Sequence, residues 1–200
     1  LRTPFALTAA EQLSAGKKVL YLNFSICNGF CKSMGLEPDV DMGDLFYLLR
    51  EDEEALLAKL KSGIYPLGSY QIIPPPSNPE HYMEWRKGEV RHFLEILLEK
   101  TDFEVLVLDM GCVMNGFFEV LDLCGRIWIL KEHWTSKDSG IEELRELLEK
   151  FKAGLEERVE EVFLPRGQAW REDGTIQVEE FYMGEVGNCV RRLLGGEYAS

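Results

Sequence analysis

The stretch Phe103-Glu-Val-Leu-Val-Leu-Asp-Met-Gly111 indicates the fold of this chain. Five of its first seven residues are apolar, and the run closes at Asp109 and Gly111. A short continuous apolar run is typical of a buried strand in a parallel sheet. Because ligands of open α/β sheets bind beyond the carboxyl ends of the strands, we expect Asp109 to face a binding crevice. The alternative is that Asp109 caps the segment that follows.

Helical and extended patterns alternate on both sides of this stretch. In chain order the patterns predict a helix at 3–15, a strand at 17–23, a loop at 25–41, helices at 42–49 and 51–60, a strand at 70–74, a helix at 84–100, the strand at 103–109, a helix at 115–124, a strand at 126–130, a helix at 136–151, a strand at 158–164 and a last helix at 184–194. Such alternation is the signature of a parallel sheet flanked by helices. The sequence therefore predicts a single α/β domain over residues 1–200.

The net charge and the cysteine content exclude some classes of function. The chain has 22 Lys and Arg against 35 Asp and Glu, a net charge of −13. Such a surface repels phosphate backbones, so nucleic acid is not the expected main partner, although a local basic patch would escape that average. The five cysteines form no CxxC pair, which speaks against a zinc site. Reduced thiols in a cytoplasmic protein are the expectation.

The order of the elements resembles the MinD/ParA group of P-loop ATPases. The resemblance rests on TPFALTAAEQLSAGKKVLYLN at 3–23, FEVLVLDMG at 103–111, GRIWILKEHWTSKDSG at 125–140 and VEEVFLP at 159–165. It covers nearly the whole chain and is greatest to the pilus-assembly branch typified by CpaE and TadZ. The resemblance implies a P-loop NTPase-like fold that binds ATP or ADP with Mg²⁺ between two subunits of a homodimer. Here the first strand and most of the phosphate loop are expected to be missing.

In that family a glycine-rich loop of the type KGGxGKT directly precedes the first helix. The resemblance places Thr3 at the Mg²⁺-ligating threonine, Arg2 at the lysine and Leu1 at the last glycine. A guanidinium is bulkier than an ammonium beneath a phosphate. Leucine also disfavours the positive φ that glycine adopts. These replacements favour an altered nucleotide site.

The other signature positions of the family lie at strand ends. Asn23 falls where an aspartate activates the attacking water, and it lacks the charge of a base. Asp109 matches the acidic residue that holds Mg²⁺ through water. The resemblance further implies a backbone N–H near the γ-phosphate at Gly111 and a contact with the nucleotide base at Pro165. It thus assigns catalysis to Asn23 and Asp109, and metal binding to Thr3 and Asp109.

Each position also has a purely structural interpretation. Thr3 would be an N-cap, Arg2 a solvated charge, Asn23 a turn residue and Pro165 the end of a strand. Likewise, the terminal sequence 189–194 resembles a membrane-binding amphipathic helix, but its two basic residues favour a helix packed on the domain.

Two function hypotheses follow, and a third is weaker. The first is a MinD/ParA-like nucleotide-binding domain that positions or assembles a cellular machine such as a pilus, with weak or absent ATP hydrolysis. The second is a non-catalytic interaction module with a decayed nucleotide site, which the residues at positions 1, 2 and 23 favour. A flavodoxin-like ligand-binding domain comes last. The negative net charge makes a protein the expected partner.

Overall fold

A computed structural model describes residues 2–25, 29–131, 139–165 and 178–195. The helices are α1 (Arg2–Leu13), α2 (Phe30–Ser33), α3 (Met42–Glu51), α4 (Glu53–Gly63), α5 (His81–Glu84), α6 (Glu89–Lys100), α7 (Phe117–Leu123), α8 (Ser139–Phe151), α9 (Val178–Met183) and α10 (Glu185–Leu193). The strands are β1 (Val19–Phe24), β2 (Tyr65–Leu67), β3 (Tyr70–Ile73), β4 (Val105–Met110), β5 (Ile127–Lys131) and β6 (Val159–Phe163). A 3₁₀ turn, Glu156–Arg158, leads into β6.

The strands form two sheets. Four strands lie in the order β2-β3-β1-β4, and β5 pairs with β6. The pairs β1–β3, β1–β4 and β5–β6 are parallel, whereas β2 runs antiparallel to β3. In the β1–β4 pair, Asn23 lies opposite Asp109. The carboxyl ends of the two strands therefore meet at one edge of the sheet.

Side chains of β1 alternate between two apolar cores. Val19 and Tyr21 pack with α1, α9 and α10, whereas Leu20, Leu22 and Phe24 pack with α3 and α6. All six residues of β1 are buried because helices cover both faces of the strand. A third, smaller core joins α7 and α8 to β5 and β6. The α/β fold predicted from the alternating pattern is therefore confirmed.

Several details differ from the sequence-based expectation. The strand at 105–110 is half-buried rather than buried, because β1 is its only partner strand among the residues that the structure describes. The helix expected at 84–100 begins only at Glu89, because Gly88 adopts φ 85° and separates it from the short α5. Residues 25–41 contain α2, and β2 was not anticipated because it spans only three residues, one of them Pro66.

The predictions for the C-terminal part of the chain are tested only where the structure describes it. In the part of the chain that the structure describes, no helix is long and apolar enough to cross a membrane. Helix α10 packs its apolar face on α1, as the interpretation of a packed last helix predicts. The start of the predicted helix at 136–151 lies outside the described residues.

Candidate functional site

The candidate site lies at the carboxyl ends of β1 and β4, beside the first turn of α1. The parallel register places Asn23 and Asp109 side by side. Helix α1 packs across β4 and brings Arg2 and Thr3 to the same edge. Five residues singled out from the sequence therefore meet here: Arg2, Thr3, Asn23, Asp109 and Gly111.

Asp109 is the centre of the site, and its carboxylate is surrounded by side-chain donors. Arg2 Nε donates to Oδ1 at 2.6 Å, and the Thr3 hydroxyl donates to Oδ2 at 2.7 Å. The Tyr21 hydroxyl and the Asn23 amide also donate to Oδ2, at 3.0 and 3.4 Å. The residue is only 2% exposed. A buried carboxylate is strongly penalised unless it is paired and hydrogen-bonded, and these four donors meet that need.

Arg2 holds a second contact that fixes its position. Its Nη2 donates to Ser25 Oγ at 2.6 Å, while its Nε is engaged by Asp109. The guanidinium therefore bridges the ends of β1 and β4, although 44% of the Arg2 side chain is exposed. The interpretation of Arg2 as a freely solvated charge is wrong.

Thr3 and Asn23 combine structural and site contacts. Helix α1 begins at Arg2, so Thr3 lies within the first turn and is not the N-cap; its hydroxyl donates to Asp109 instead. Asn23 Oδ1 accepts the backbone N–H of Ser25 at 2.9 Å, an Asx turn that ends β1. Its amide nitrogen donates to Tyr21 Oη at 2.9 Å and is directed toward Asp109. Asn23 thus serves as a turn residue and as part of the buried network.

Tyr21 was missed by the sequence analysis, as was Ser25. Burial, and secondarily the neighbouring charge of Asp109, raises the pKa of Tyr21 well above its ordinary value. Tyr21 is therefore a neutral hydroxyl that can only strengthen the hydrogen-bonding of Asp109. The period-two alternation of a strand places residues 21 and 23 on one face, so it could have identified Tyr21 once Asn23 was chosen.

Gly111 lies against Arg2 and Ser25 at the edge of the site. Its N–H donates to Phe24 O at 3.0 Å, which continues the β1–β4 ladder. A Cβ at this position would lie 2.0 Å from Ser25 Oγ and 2.6 Å from Arg2 Nη2. The close approach requires glycine, and it leaves the space beside Gly111 filled by Arg2 and Ser25. The N–H that the family resemblance assigns to a phosphate is engaged with the backbone of β1.

Pro165 and Leu1 are not part of this cluster. Pro165 follows β6 and lines an open groove with Glu185, Asn188, Arg191 and Arg192 of α10. Its expected contact with a nucleotide base stays a prediction. Leu1 lies outside the described residues.

The residues present do not fit a magnesium ion in this arrangement. A carboxylate and a threonine hydroxyl are suitable Mg²⁺ ligands. Here, however, the cation beside Asp109 is the guanidinium of Arg2, and both carboxylate oxygens accept protein donors. Among the described residues there is also no cluster of three or more His, Cys, Asp or Glu that could hold a metal. The charge of the Asp109 carboxylate is compensated by Arg2 of the same chain.

Comparison with solved structures identifies the fold. The chain is similar to a ParA family ATPase from Chlorobium tepidum TLS, with a TM-score of 0.63 and 16% identity over 95% of this chain and 83% of that one. It is also similar to apo McdA from Cyanthece, with a TM-score of 0.59 and 14% identity over 98% and 88% of the two chains. The chain has the ParA/MinD fold.

A third similarity, to the MinC:MinD cell division complex of Aquifex aeolicus, has a TM-score of 0.53 and 16% identity over 89% of this chain and 70% of that one. No protein-family model matches the sequence, and no curated protein sequence matches it. At these identities the similarity establishes the fold alone. The predicted P-loop NTPase-like architecture, mostly parallel and flanked by helices, is thereby confirmed, and the CpaE/TadZ branch stays a prediction.

Proposed function

We propose that this ParA/MinD-fold domain positions or assembles a cellular machine by binding a protein partner, without hydrolysing ATP. The observation that carries the proposal is the ion pair between Arg2 and Asp109. The carboxylate that would hold Mg²⁺ in an ATPase of this fold is neutralised by a side chain of the same chain. The family resemblance also implies that Asn23 takes the position of a catalytic aspartate, and an amide cannot act as a base.

The energetics support a stable ion pair rather than a transient one. Removing one member of a buried pair typically costs about 3–5 kcal/mol because it leaves an uncompensated charge. Arg2 is 44% exposed, so water screens part of the interaction and the cost is expected to be smaller. A metal ion entering the site would have to displace the guanidinium and break hydrogen bonds to Asp109.

The charge of the chain favours a protein as the partner. A net charge of −13 opposes binding to DNA or to anionic membrane. Solved proteins with this fold include a MinD in complex with MinC, which is a protein partner. By analogy of fold we propose a protein contact for this chain, with a pilus-type assembly as the cellular setting. A homodimer, if formed, would then not depend on nucleotide.

A second candidate function, nucleotide binding without turnover, is favoured by one observation. Thr3 and Asp109 lie at hydrogen-bonding distance, 2.7 Å, as metal ligands of one site would. If Arg2 moved away from Asp109, the carboxylate would become available to bind a metal cation. This candidate requires the Arg2–Asp109 contact to be displaced by Mg²⁺·ATP.

A calorimetric titration with Mg²⁺·ATP tests the proposal. We expect no binding at millimolar nucleotide and no phosphate release above buffer. Mg²⁺-dependent binding that Asp109→Ala abolishes would support the second candidate, and turnover at the rate of an ordinary ATPase would overturn the proposal. Arg50→Ala is the matched control, because Arg50 forms an ion pair with Glu89 remote from the site contacts.

A further inference from the structure

A cleft between α3 and α5 lies apart from the Asp109 network. It has a volume of about 420 Å³, which is in the range of pockets that bury a ligand. Residues of α3, residues 81–85 around α5 and Lys59 of α4 form its lining. The residues that line it are not those that donate to Asp109. The cleft is therefore a second place at which this protein can bind something.

Two contacts hold α5 against α3, one at each end of the cleft. At the start of α3, a Cβ on Gly43 would lie 2.2 Å from His81 Nδ1, so the imidazole rests directly against the glycine. At the end of α3, Arg50 Nη2 donates to Glu84 O at 2.8 Å. Arg50 is itself held by Glu89, whose carboxylate accepts from its Nε and Nη2 at 2.9 Å. The two walls are thus fixed before anything binds, which lowers the entropic cost of binding.

The cleft combines a rigid aromatic base with one exposed ring. Phe46 stacks on Trp85 with ring centroids 4.1 Å apart, and both side chains are fully buried. Tyr47 also lines the cleft, about one helical turn from either end, and it is 64% exposed. Tyrosine is one of the side chains that most often carry the binding energy of protein interfaces. Its exposure on a fixed support makes Tyr47 the natural contact for an apolar group.

The charged groups at one end of the cleft are acidic. The charge of Arg50 is already compensated by its ion pair, and the other fully charged lining residues are Asp44, Glu84 and Lys59. Directly after Arg50, four exposed acidic residues follow at 51–54, where α3 meets α4. The helix dipole accounts for two of these four, in the first turn of α4. Such a concentration of negative charge attracts cationic groups and repels anionic ones.

We propose that this cleft docks a basic segment of a protein partner, with one large apolar side chain seated against Tyr47 and with lysines or arginines near residues 51–54. Because the acidic run lies outside the lining of the cleft, only an extended ligand reaches both. The apolar side chain supplies most of the affinity, and the charges supply the rate of association and the choice of partner. The inference rests on the proposed function in one respect, namely that the partner is a protein.

A nuclear magnetic resonance titration with two synthetic peptides tests the proposal. One is a short lysine-rich peptide with a single central tryptophan, and the other has alanine in place of the tryptophan. We expect the tryptophan peptide to shift the amide resonances of Tyr47, His81 and Glu84 saturably, with a Kd at least about tenfold lower than that of the alanine peptide. Equal Kd values, or no saturable shift with either peptide at millimolar concentration, would overturn the proposal.

Substitution of Tyr47 tests the contact with the apolar side chain. Tyr47→Ala should raise the Kd of the tryptophan peptide at least about tenfold. Because the ring is exposed, its removal should leave the Tm nearly unchanged, which thermal denaturation checks. Met183→Ala, at an exposed apolar residue of α9, is the matched control and should leave the Kd unchanged. An unchanged Kd for a folded Tyr47→Ala variant would overturn the proposal.

Removal of two acidic groups tests the electrostatic part. Glu53→Gln combined with Glu54→Gln should raise the Kd of the tryptophan peptide about threefold at low salt, and added salt should reduce the difference. Glu142→Gln combined with Glu143→Gln removes the same charge from exposed positions near the start of α8 and is the matched control. An equal change of Kd in the two double variants would overturn the proposal.

A second copy of the chain is the other occupant that the experiment distinguishes. Resonances of Tyr47, His81 and Glu84 that shift with protein concentration in the absence of peptide would show that the cleft joins two copies, and this would overturn the proposal. The titration contains no nucleotide, so its failure leaves the account of Asp109 intact. Conversely, ATP turnover would overturn the proposed function and leave the peptide result standing.

Discussion

At the residue scale, Asp109 shows how side-chain donors accommodate a buried carboxylate. Its carboxylate accepts from Arg2, Thr3, Tyr21 and Asn23, which come from α1 and β1. Each donor lies on an element that packs against β4, so the network also links those elements. Substitutions at Asp109 should therefore change stability as well as any ligand binding.

Asp109→Asn and Asp109→Ala should differ in their effect on stability. Asparagine keeps one acceptor but leaves the charge of Arg2 uncompensated, and we expect a loss of roughly 1–3 kcal/mol. Alanine leaves all four donors without this acceptor, so we expect a larger loss. Urea denaturation of both variants measures the difference. Equal stability of Asp109→Ala and the unsubstituted chain would contradict the network.

The Cys124 thiol is predicted to be unreactive in the folded protein. Burial raises the pKa of Cys124 to about 11 from the ordinary 9.0, against an opposing effect of Arg158. The raised value keeps the thiol protonated below pH 9, and the stability associated with it is lost as the pH rises from 9 to about 11. We expect thiol-reagent labelling at pH 8 to be about 100-fold slower than in urea. Equal rates in both conditions would contradict this prediction.

Most of the residues of the site could be predicted from the sequence, but their contacts could not. Strand ends and the family resemblance selected Arg2, Thr3, Asn23 and Asp109, because these positions follow a local pattern. That Arg2 forms an ion pair with Asp109 depends on how α1 packs across β4, over 107 residues of separation. No local pattern encodes that packing.

At the scale of elements, α3 illustrates a helix whose start is fixed by its own sequence. Asp41 accepts from Gly43 N and Asp44 N, and the Asp44 carboxylate accepts from Asp41 N, which together form a capping box. Asp41 also accepts from Ser77 N at 2.7 Å, which ties α3 to the loop after β3.

Loss of the Asp41 side chain should therefore destabilise the fold. We expect Asp41→Ala to cost about 1–2 kcal/mol, since an N-cap and one tertiary hydrogen bond are lost. Asp39→Ala, two residues earlier and exposed, is the matched control and should change the free energy of unfolding by less than about 0.5 kcal/mol. Thermal denaturation of both variants is the measurement, and equal Tm values would contradict the capping role.

The break before α6 should depend on backbone conformation alone. Gly88 has φ 85° with open space around its Cα, whereas Gly125 also has open space but no such φ. Gly88→Ala should therefore lower the free energy of unfolding by roughly 1 kcal/mol, and Gly125→Ala by less. Chemical denaturation of the two variants compares them directly. A greater loss for Gly125→Ala would contradict this assignment.

The positions of helices and strands were predicted well where the apolar residues follow a strong period. The burial of a strand was not, because it depends on which strands pair with it. The strands at 17–23 and 103–109 and the helix at 42–49 were expected close to their observed positions. The half-buried state of β4 was not expected, because the apolar run is the same whether a strand is central or at an edge. Only the partners of a strand distinguish the two.

At the scale of the whole molecule, the chain shares its fold with a ParA family ATPase, while side chains of the chain itself surround the carboxylate of the candidate site. The ParA/MinD fold was predicted from the order of elements, and the structural comparison confirms it. Function does not follow from the fold, because function resides in the site. The binding role that we propose therefore rests on the Arg2–Asp109 ion pair and not on the fold.

The oligomeric state should accordingly be independent of nucleotide. On the proposed function, the guanidinium of Arg2 takes the place of a metal ion at Asp109, so nucleotide should not drive a change of oligomer. We expect light scattering to give the same mass with and without Mg²⁺·ATP at millimolar concentration. A nucleotide-driven change from monomer to dimer would contradict the proposed function.

The central claim is that Arg2 replaces a metal ion as the cation of Asp109. A double-mutant cycle with Arg2→Ala and Asp109→Asn, measured by urea denaturation with and without excess Mg²⁺·ATP, tests it most directly. We predict a coupling free energy of about 1 kcal/mol or more that Mg²⁺·ATP leaves unchanged. A coupling near zero, or one that disappears when Mg²⁺·ATP is added, would contradict the claim.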